Sequence, residues 1–245
     1  MQSKTLFPAI GGNFNSNSAS SEQIHFLHIG KNAGTQIKFI IEQVNSLSNK
    51  KIFHSYGHDT VLKDLPGNSK YFFSIRHPFT RFFSGFYSRK RKGQPRLNVE
   101  WTEHEKFAFE NFPDANDLAE SLYKDGVLGF KATQAIKSIR HTAQNQIDWF
   151  CRVGAFLEMH PPVWIIRQEC FDSDISHFLT KACINEEVQS KIIITKDKKL
   201  AHLNDYEGVP SLSEKAKLNI MNWYSQDIEF YKLCENWILE NSQKL

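Results

Sequence analysis

The chain has no apolar stretch near the ~18 residues of a membrane-spanning helix, and its first residues lack the charged-then-apolar order of a signal peptide. Cysteine is scarce: Cys151, Cys170, Cys183 and Cys234 form no CxxC pair and have no metal-ligand spacing, which argues against a zinc site. They read as buried or free thiols of a reducing compartment, although the sequence leaves open a Cys170–Cys183 disulfide, which would indicate a secretory lumen. No internal repeat is visible. No large excess of one charge is present either. A formal net charge of +3 and a pI near 8.6 fall far short of a nucleic-acid coat or a polybasic membrane anchor. The expectation is therefore no metal, no nucleic acid and no membrane span in this chain, and a bacterial-type cytoplasmic location, with a soluble lumenal domain as the alternative.

What is present is a composition that packs: 245 residues with 40% hydrophobic and 13% aromatic content suit a substantial globular core. Residues 1–22, rich in Gly, Asn and Ser over Gly11 to Ser21, read as a flexible arm, and residues 23–245 as one domain. Ile24 to Ile29 is a short apolar run followed by Gly30, Gly34 and then Ile37, Phe39, Ile40, Ile41 and Val44, the order of strand, tight loop and helix. Further strands are expected at Lys51 to His54, Tyr71 to Ile75, Val163 to Ile166 and Ile192 to Ile194. Pro78 suits the first turn of a helix that carries Phe79, Phe82, Phe83, Phe86 and Tyr87 as core residues. Helices are also expected over Trp101 to Tyr123, Ala132 to Phe150, Asp174 to Cys183 and Ser213 to Asn241. Strands alternating with helices give an α/β class with a mainly parallel sheet flanked by helices.

Two loops in this pattern carry anion chemistry. The loop Gly30-Lys31-Asn32-Ala33-Gly34-Thr35 joins the first strand to the first helix, where backbone N–H groups and the positive end of the helix dipole converge. Lys31 adds a point charge and Thr35 a hydroxyl. The loop is shorter than GxxxxGK(S/T), and its lysine precedes the second glycine, so a Mg-dependent nucleoside triphosphatase is disfavoured. The second element is Arg76, leaving the carboxyl end of a predicted central strand, with Ser84 two helical turns on; a guanidinium fork suits a phosphate. The basic residues Arg76, Arg81, Arg89, Lys90, Arg91, Lys92 and Arg96 crowd this stretch, and the run Arg89 to Lys92 reads by itself as a solvated helix face.

The segment His28 to Thr35 resembles the HIPKTGGT loop of carbohydrate sulfotransferases that use 3'-phosphoadenosine 5'-phosphosulfate (PAPS), the family that includes the heparan sulfate 2-O-sulfotransferases. Ile75 to Ser84 resembles the RDPxxRxxS element of the same family. Gly30 replaces a usual proline, Asn32 a frequent threonine and His77 a usual aspartate. The resemblance implies a P-loop-NTPase-like fold and sulfuryl transfer from PAPS to an acceptor hydroxyl, leaving 3',5'-adenosine bisphosphate. Lys31, Asn32, Ala33, Gly34, Thr35 and Gln36 would hold the 5'-phosphosulfate, and Arg76 and Ser84 the 3'-phosphate. Arg81 would brace the loop or touch the ligand.

Sulfuryl transfer needs a base for the acceptor proton, and histidine has the right pKa. His58, in Tyr56-Gly57-His58-Asp59, matches a GH element of the family, with His54 as runner-up; Lys31 would stabilise charge on the leaving oxygen. His141 and Gln146, with His54, are candidates on the acceptor side. Glu169 is expected to be structural, and Lys199 and Asn204 resemble part of a loop that covers the nucleotide. Tyr224 to Tyr231 resembles the family's terminal YxxDxxxY helix. The implied acceptor is a carbohydrate, with protein tyrosine or a small phenol as alternatives and a Golgi enzyme's lumenal domain as the other cellular setting. Two readings from different classes stand beside this one: a nucleotide- or phosphate-binding module without catalysis, and a P-loop-type small-molecule kinase.

Overall fold

Among the described residues, four short strands form one parallel sheet: β1 (Ile24–Leu27), β2 (Phe53–Ser55), β3 (Lys70–Ile75) and β4 (Ile165–Arg167), in the order β2-β1-β3-β4. The computed structural model describes residues 23–151, 155–197 and 206–242, so the arm read over 1–22 and the candidates Lys199 and Asn204 lie outside the described residues. All four residues of β1 are buried, as a central strand covered on both faces requires. From β1 the chain passes through α1 (Gly34–Leu47) to β2 on one side, then crosses to β3 on the other and continues outward to β4. Strand order thus reverses between β1 and β3, and open α/β sheets bind ligands beyond the carboxyl ends of the strands at that point. Lys31 and Arg76 follow those two ends.

The other α-helices among the described residues are α2 (Pro78–Lys90), α3 (Glu103–Asn111), α4 (Ala115–Ser121), α5 (Gly126–Ser138), α6 (Phe156–Met159), α7 (Phe171–Lys181), α8 (Glu186–Ser190), α9 (Glu214–Trp223) and α10 (Ser225–Ser242). One apolar cluster packs the sheet against α1, α7 and α10, with Phe26, Phe72, Phe73, Phe178 and Phe230 fully buried. A second joins α2 to α3, α4, α5 and α9 through Phe82, Phe86, Phe109, Leu118, Ile136 and Ile220. Among the described residues no helix is long and apolar enough to cross a membrane, and Cys151, Cys170, Cys183 and Cys234 are all free thiols.

Four expectations are corrected. Ile192 to Ile194 is not a strand: the N–H of Ile193 donates to Oε1 of Gln43 at 2.9 Å, and Nε2 of Gln43 donates back to its carbonyl at 3.0 Å, so a side chain of α1 occupies the groups that a sheet neighbour would use. The helix expected over Trp101 to Tyr123 is two, because Pro113 holds Phe112 extended and Asp114 starts α4 by accepting from Asp117 N at 2.8 Å. The helix expected over Ala132 to Phe150 stops at Ser138, where the Thr142 hydroxyl caps the carbonyls of Ile136 (2.6 Å) and Ile139 (3.0 Å); Gln146–Phe150 is a separate 3-10 turn. The last helix breaks at Tyr224, which is buried and donates its hydroxyl to the Thr142 carbonyl at 2.6 Å.

Candidate functional site

Lys31 and Ala33 have φ of 70° and 60°, left-handed values unusual for residues with a Cβ, and alternation of this kind is the backbone pattern by which successive N–H groups make anion-binding concavities. Ala33 sits at the N-cap of α1 with no side-chain capping bond, and no acidic residue occupies the first turn. The positive end of this 14-residue helix is therefore open to an anion. The buried side chain of Asn32 fixes the loop from behind by donating to the Ser74 carbonyl at 2.8 Å and to Oε1 of Gln146 at 2.7 Å, while the Ser74 hydroxyl donates to the Asn32 carbonyl at 2.6 Å. These bonds account for asparagine at this position.

At the end of β3, Arg76 reaches back over the loop. Its Nη1 donates to the Lys31 carbonyl at 3.4 Å and its Nε to the Thr80 hydroxyl at 3.1 Å. His77 caps α2 by accepting from Phe79 N at 3.3 Å through Nδ1, the task an aspartate would perform there. Glu169 is structural: one carboxylate oxygen accepts from His77 N and the Thr80 hydroxyl, both at 2.9 Å. Arg81 is buried and braces the loop, donating to the Gly30 carbonyl at 3.1 Å and the Gln144 carbonyl at 2.7 Å, with the Asp227 carboxylate 3.8 Å away.

Lys31 and Arg76 open into one cavity of about 330 Å³, within the range of small-molecule sites. Ala33, Gly34, Thr35, Gln36, Ser84, His58 and His141 line it as well. So do Lys38, Ser88, Arg89, Lys92, Arg96 and Arg140, whereas no Asp or Glu does among the described residues. The cavity is a cationic pocket. Burial, reinforced by Arg76, Arg91 and Arg81, lowers the Lys31 ammonium from its ordinary value to about 7.

Three histidine rings form one wall. His58 packs on His28 with ring centroids 4.0 Å apart, and His141 lies 5.8 Å from His58. Nδ1 of His58 donates to the His28 carbonyl at 3.2 Å; since a carbonyl only accepts, the neutral ring keeps Nε2 free to take a proton. Burial lowers the pKa of His58, and burial with neighbouring positive charge takes His28 and His141 down to about 2. All three are uncharged near neutral pH. Trp149 fixes the His58 segment by donating Nε1 to its carbonyl at 3.0 Å. Close packing explains two glycines: a Cβ at Gly34 would lie 1.9 Å from Nε2 of His28, and one at Gly30 would lie 3.1 Å from Nδ1 of His141.

The structure brings together Lys31, Ala33, Gly34, Thr35, Gln36, Arg76, Ser84, His58 and His141. It does not bring Asn32, Gln146 or His54 to the cavity surface. Asn32 and Gln146 are fully buried behind it, and His54 packs its ring against His25 and Tyr56 beside β1. Sequence reasoning missed Lys38, Ser88 and Arg140. Ser88 follows Ser84 by one helical turn and Lys38 follows Gly34 by one, so helical spacing was the available signal for both; Arg140 offered none. No family model, curated protein or solved structure matches this chain.

Proposed function

We propose that the protein is a sulfotransferase of P-loop-like fold that moves the sulfuryl group of PAPS to an acceptor hydroxyl, on a carbohydrate in preference to protein tyrosine or a small phenol. The observation that carries this reading is the convergence of Lys31 and Arg76, from the ends of adjacent strands β1 and β3, on one cationic cavity. A nucleotide with anionic groups at both its 5' and 3' ends matches two separate anion sites at one strand switch point. In this assignment the loop Lys31 to Gln36 takes the 5'-phosphosulfate, and Arg76 with Ser84 takes the 3'-phosphate.

The acceptor oxygen attacks sulfur in line with the bond to the bridging phosphate oxygen; as the new S–O bond forms the old one breaks, and 3',5'-adenosine bisphosphate leaves. Nε2 of His58 receives the acceptor proton, and Lys31 offsets charge growing on the leaving oxygen. A kinase reading is less well supported, because Mg-dependent phosphoryl transfer uses a carboxylate near the metal and no Asp or Glu lines the cavity among the described residues.

Calorimetric titration with 3',5'-adenosine bisphosphate against ATP tests the donor, and preference for ATP ends the assignment. Labelled PAPS offered to a panel of glycans then tests the reaction. His58→Ala is expected to keep nucleotide affinity and lose turnover; loss of neither places the base elsewhere, and a wild-type protein that binds the nucleotide without turnover is a binding module.

A further inference from the structure

The side chain of Gln146 is fully buried, yet it joins the two anion sites to each other. Its Oε1 accepts from Nδ2 of Asn32, the residue after Lys31, at 2.7 Å and from the backbone N–H of Arg76 at 3.0 Å, while its Nε2 donates to the Arg76 carbonyl at 2.8 Å. One carboxamide thus binds the loop after β1 to the end of β3. The backbone that carries it is held in turn, because the Asp227 carboxylate of α10 accepts from the backbone N–H groups of Gln146 at 2.8 Å and Ile147 at 3.2 Å. A buried polar group with this many directed partners specifies a spacing, which apolar contact alone does not.

We propose that Gln146 is a positioning residue that sets the separation between the 5' and 3' anion sites, so that a ligand carrying both groups binds as a chelate. This inference rests on the donor assignment made above. Once one phosphate is seated, the other meets its site at an effective concentration fixed by the geometry between the two sites. Loosening that geometry leaves each site able to bind its own group but lowers the gain from joining them.

The test compares 3',5'-adenosine bisphosphate with adenosine 5'-monophosphate and adenosine 3'-monophosphate by calorimetry. In the wild-type protein the bisphosphate is expected to bind more tightly than either monophosphate. In Gln146→Met the monophosphates should hold within about twofold while the bisphosphate weakens about tenfold, the change that corresponds to 1.4 kcal/mol. Tyr71→Phe, which removes a hydroxyl bond to the His160 carbonyl at the opposite end of β3, controls for a general loss of stability and should keep the full bisphosphate advantage. Should Gln146→Met fail to fold, Gln146→Asn, whose shorter carboxamide cannot span from Asn32 to the Arg76 backbone, breaks the same connection and carries the same expectation. Equal weakening of all three nucleotides, or an undiminished bisphosphate advantage in the folded variant, overturns the inference. A wild-type protein with no bisphosphate advantage instead overturns the donor assignment on which it stands.

Discussion

Nη1 of Arg76 donates to the carbonyl oxygen of Lys31 at 3.4 Å, so the two candidate anion-binding cations are tied through the backbone of one loop and not only through a shared cavity. Arg76 bridges two elements, and its neighbours Thr80 and Glu169 hold the guanidinium side of that bridge.

Arg76→Ala is expected to weaken 3',5'-adenosine bisphosphate binding by about 10- to 100-fold, the loss of charge-assisted hydrogen bonds worth about 1.5–3 kcal/mol. Arg76→Lys should recover only part of this, because an ammonium keeps the charge and loses the planar fork. Titration calorimetry measures both. Wild-type affinity in the alanine variant would assign the 3'-group to other cations in the cavity.

Nucleotide affinity should depend on pH through Lys31. Its pKa of about 7 in the free protein means the ammonium is the main form only below that value. A bound anion raises the pKa, so binding above pH 7 takes up a proton, and affinity falls as pH rises from 7 to 9, at most about tenfold per unit. Below 7 the lysine is already charged and this dependence disappears. Lys31→Arg carries its charge throughout and should give a flat profile over the same window; a wild-type profile equally flat would show that Lys31 does not meet the ligand.

Gly34→Ala should damage folding and site together, since the new methyl would lie 1.9 Å from Nε2 of His28, and overpacking of this kind costs about 1–3 kcal/mol or more. The double variant Gly34→Ala, His28→Ala removes the obstruction and should recover much of the melting temperature. A single variant as stable as the wild type would mean that the ring has room to turn aside.

The strand, loop and helix from Ile24 to Val44 were legible because a short apolar run, two glycines and helical apolar spacing occur in one local stretch. The cavity wall was less so. Asn32 reads as a ligand-loop residue in sequence, but its burial depends on Gln146, 114 positions away, and no local pattern encodes that partner. The β-branched run Ile192 to Ile194 has strand propensity, and propensity does not reveal that a glutamine from α1 satisfies both backbone groups of its middle residue, Ile193. The basic run after Tyr87 shows the same limit: Arg89 is buried, Lys92 pairs with Glu100, and Arg91 donates to the Gln94 carbonyl, so a stretch that read as solvated charge has three different environments.

Arg89 supplies the strongest stability prediction. Its Nε and Nη2 donate to the two carboxylate oxygens of Glu105, each at 2.7 Å, and both side chains are buried. Glu105 also accepts from the backbone N–H groups of Thr102 and Arg140, both at 3.1 Å; burial alone would raise its pKa, but these bonds hold it below the ordinary carboxylate value. The guanidinium in turn donates to the carbonyls of Val99 (3.3 Å) and Glu100 (3.1 Å), fixing the segment that brings Arg96, Leu97 and Val99 to the cavity. Arg89→Ala leaves the carboxylate buried without its cation, and the expected loss is about 3–5 kcal/mol in urea denaturation. Arg89→Met with Glu105→Gln removes both charges and should lose much less than the sum of the single changes, which a double-mutant cycle reads directly. Additive losses would mean that the two side chains stabilise the fold independently and that the paired charge is not what holds this wall of the site.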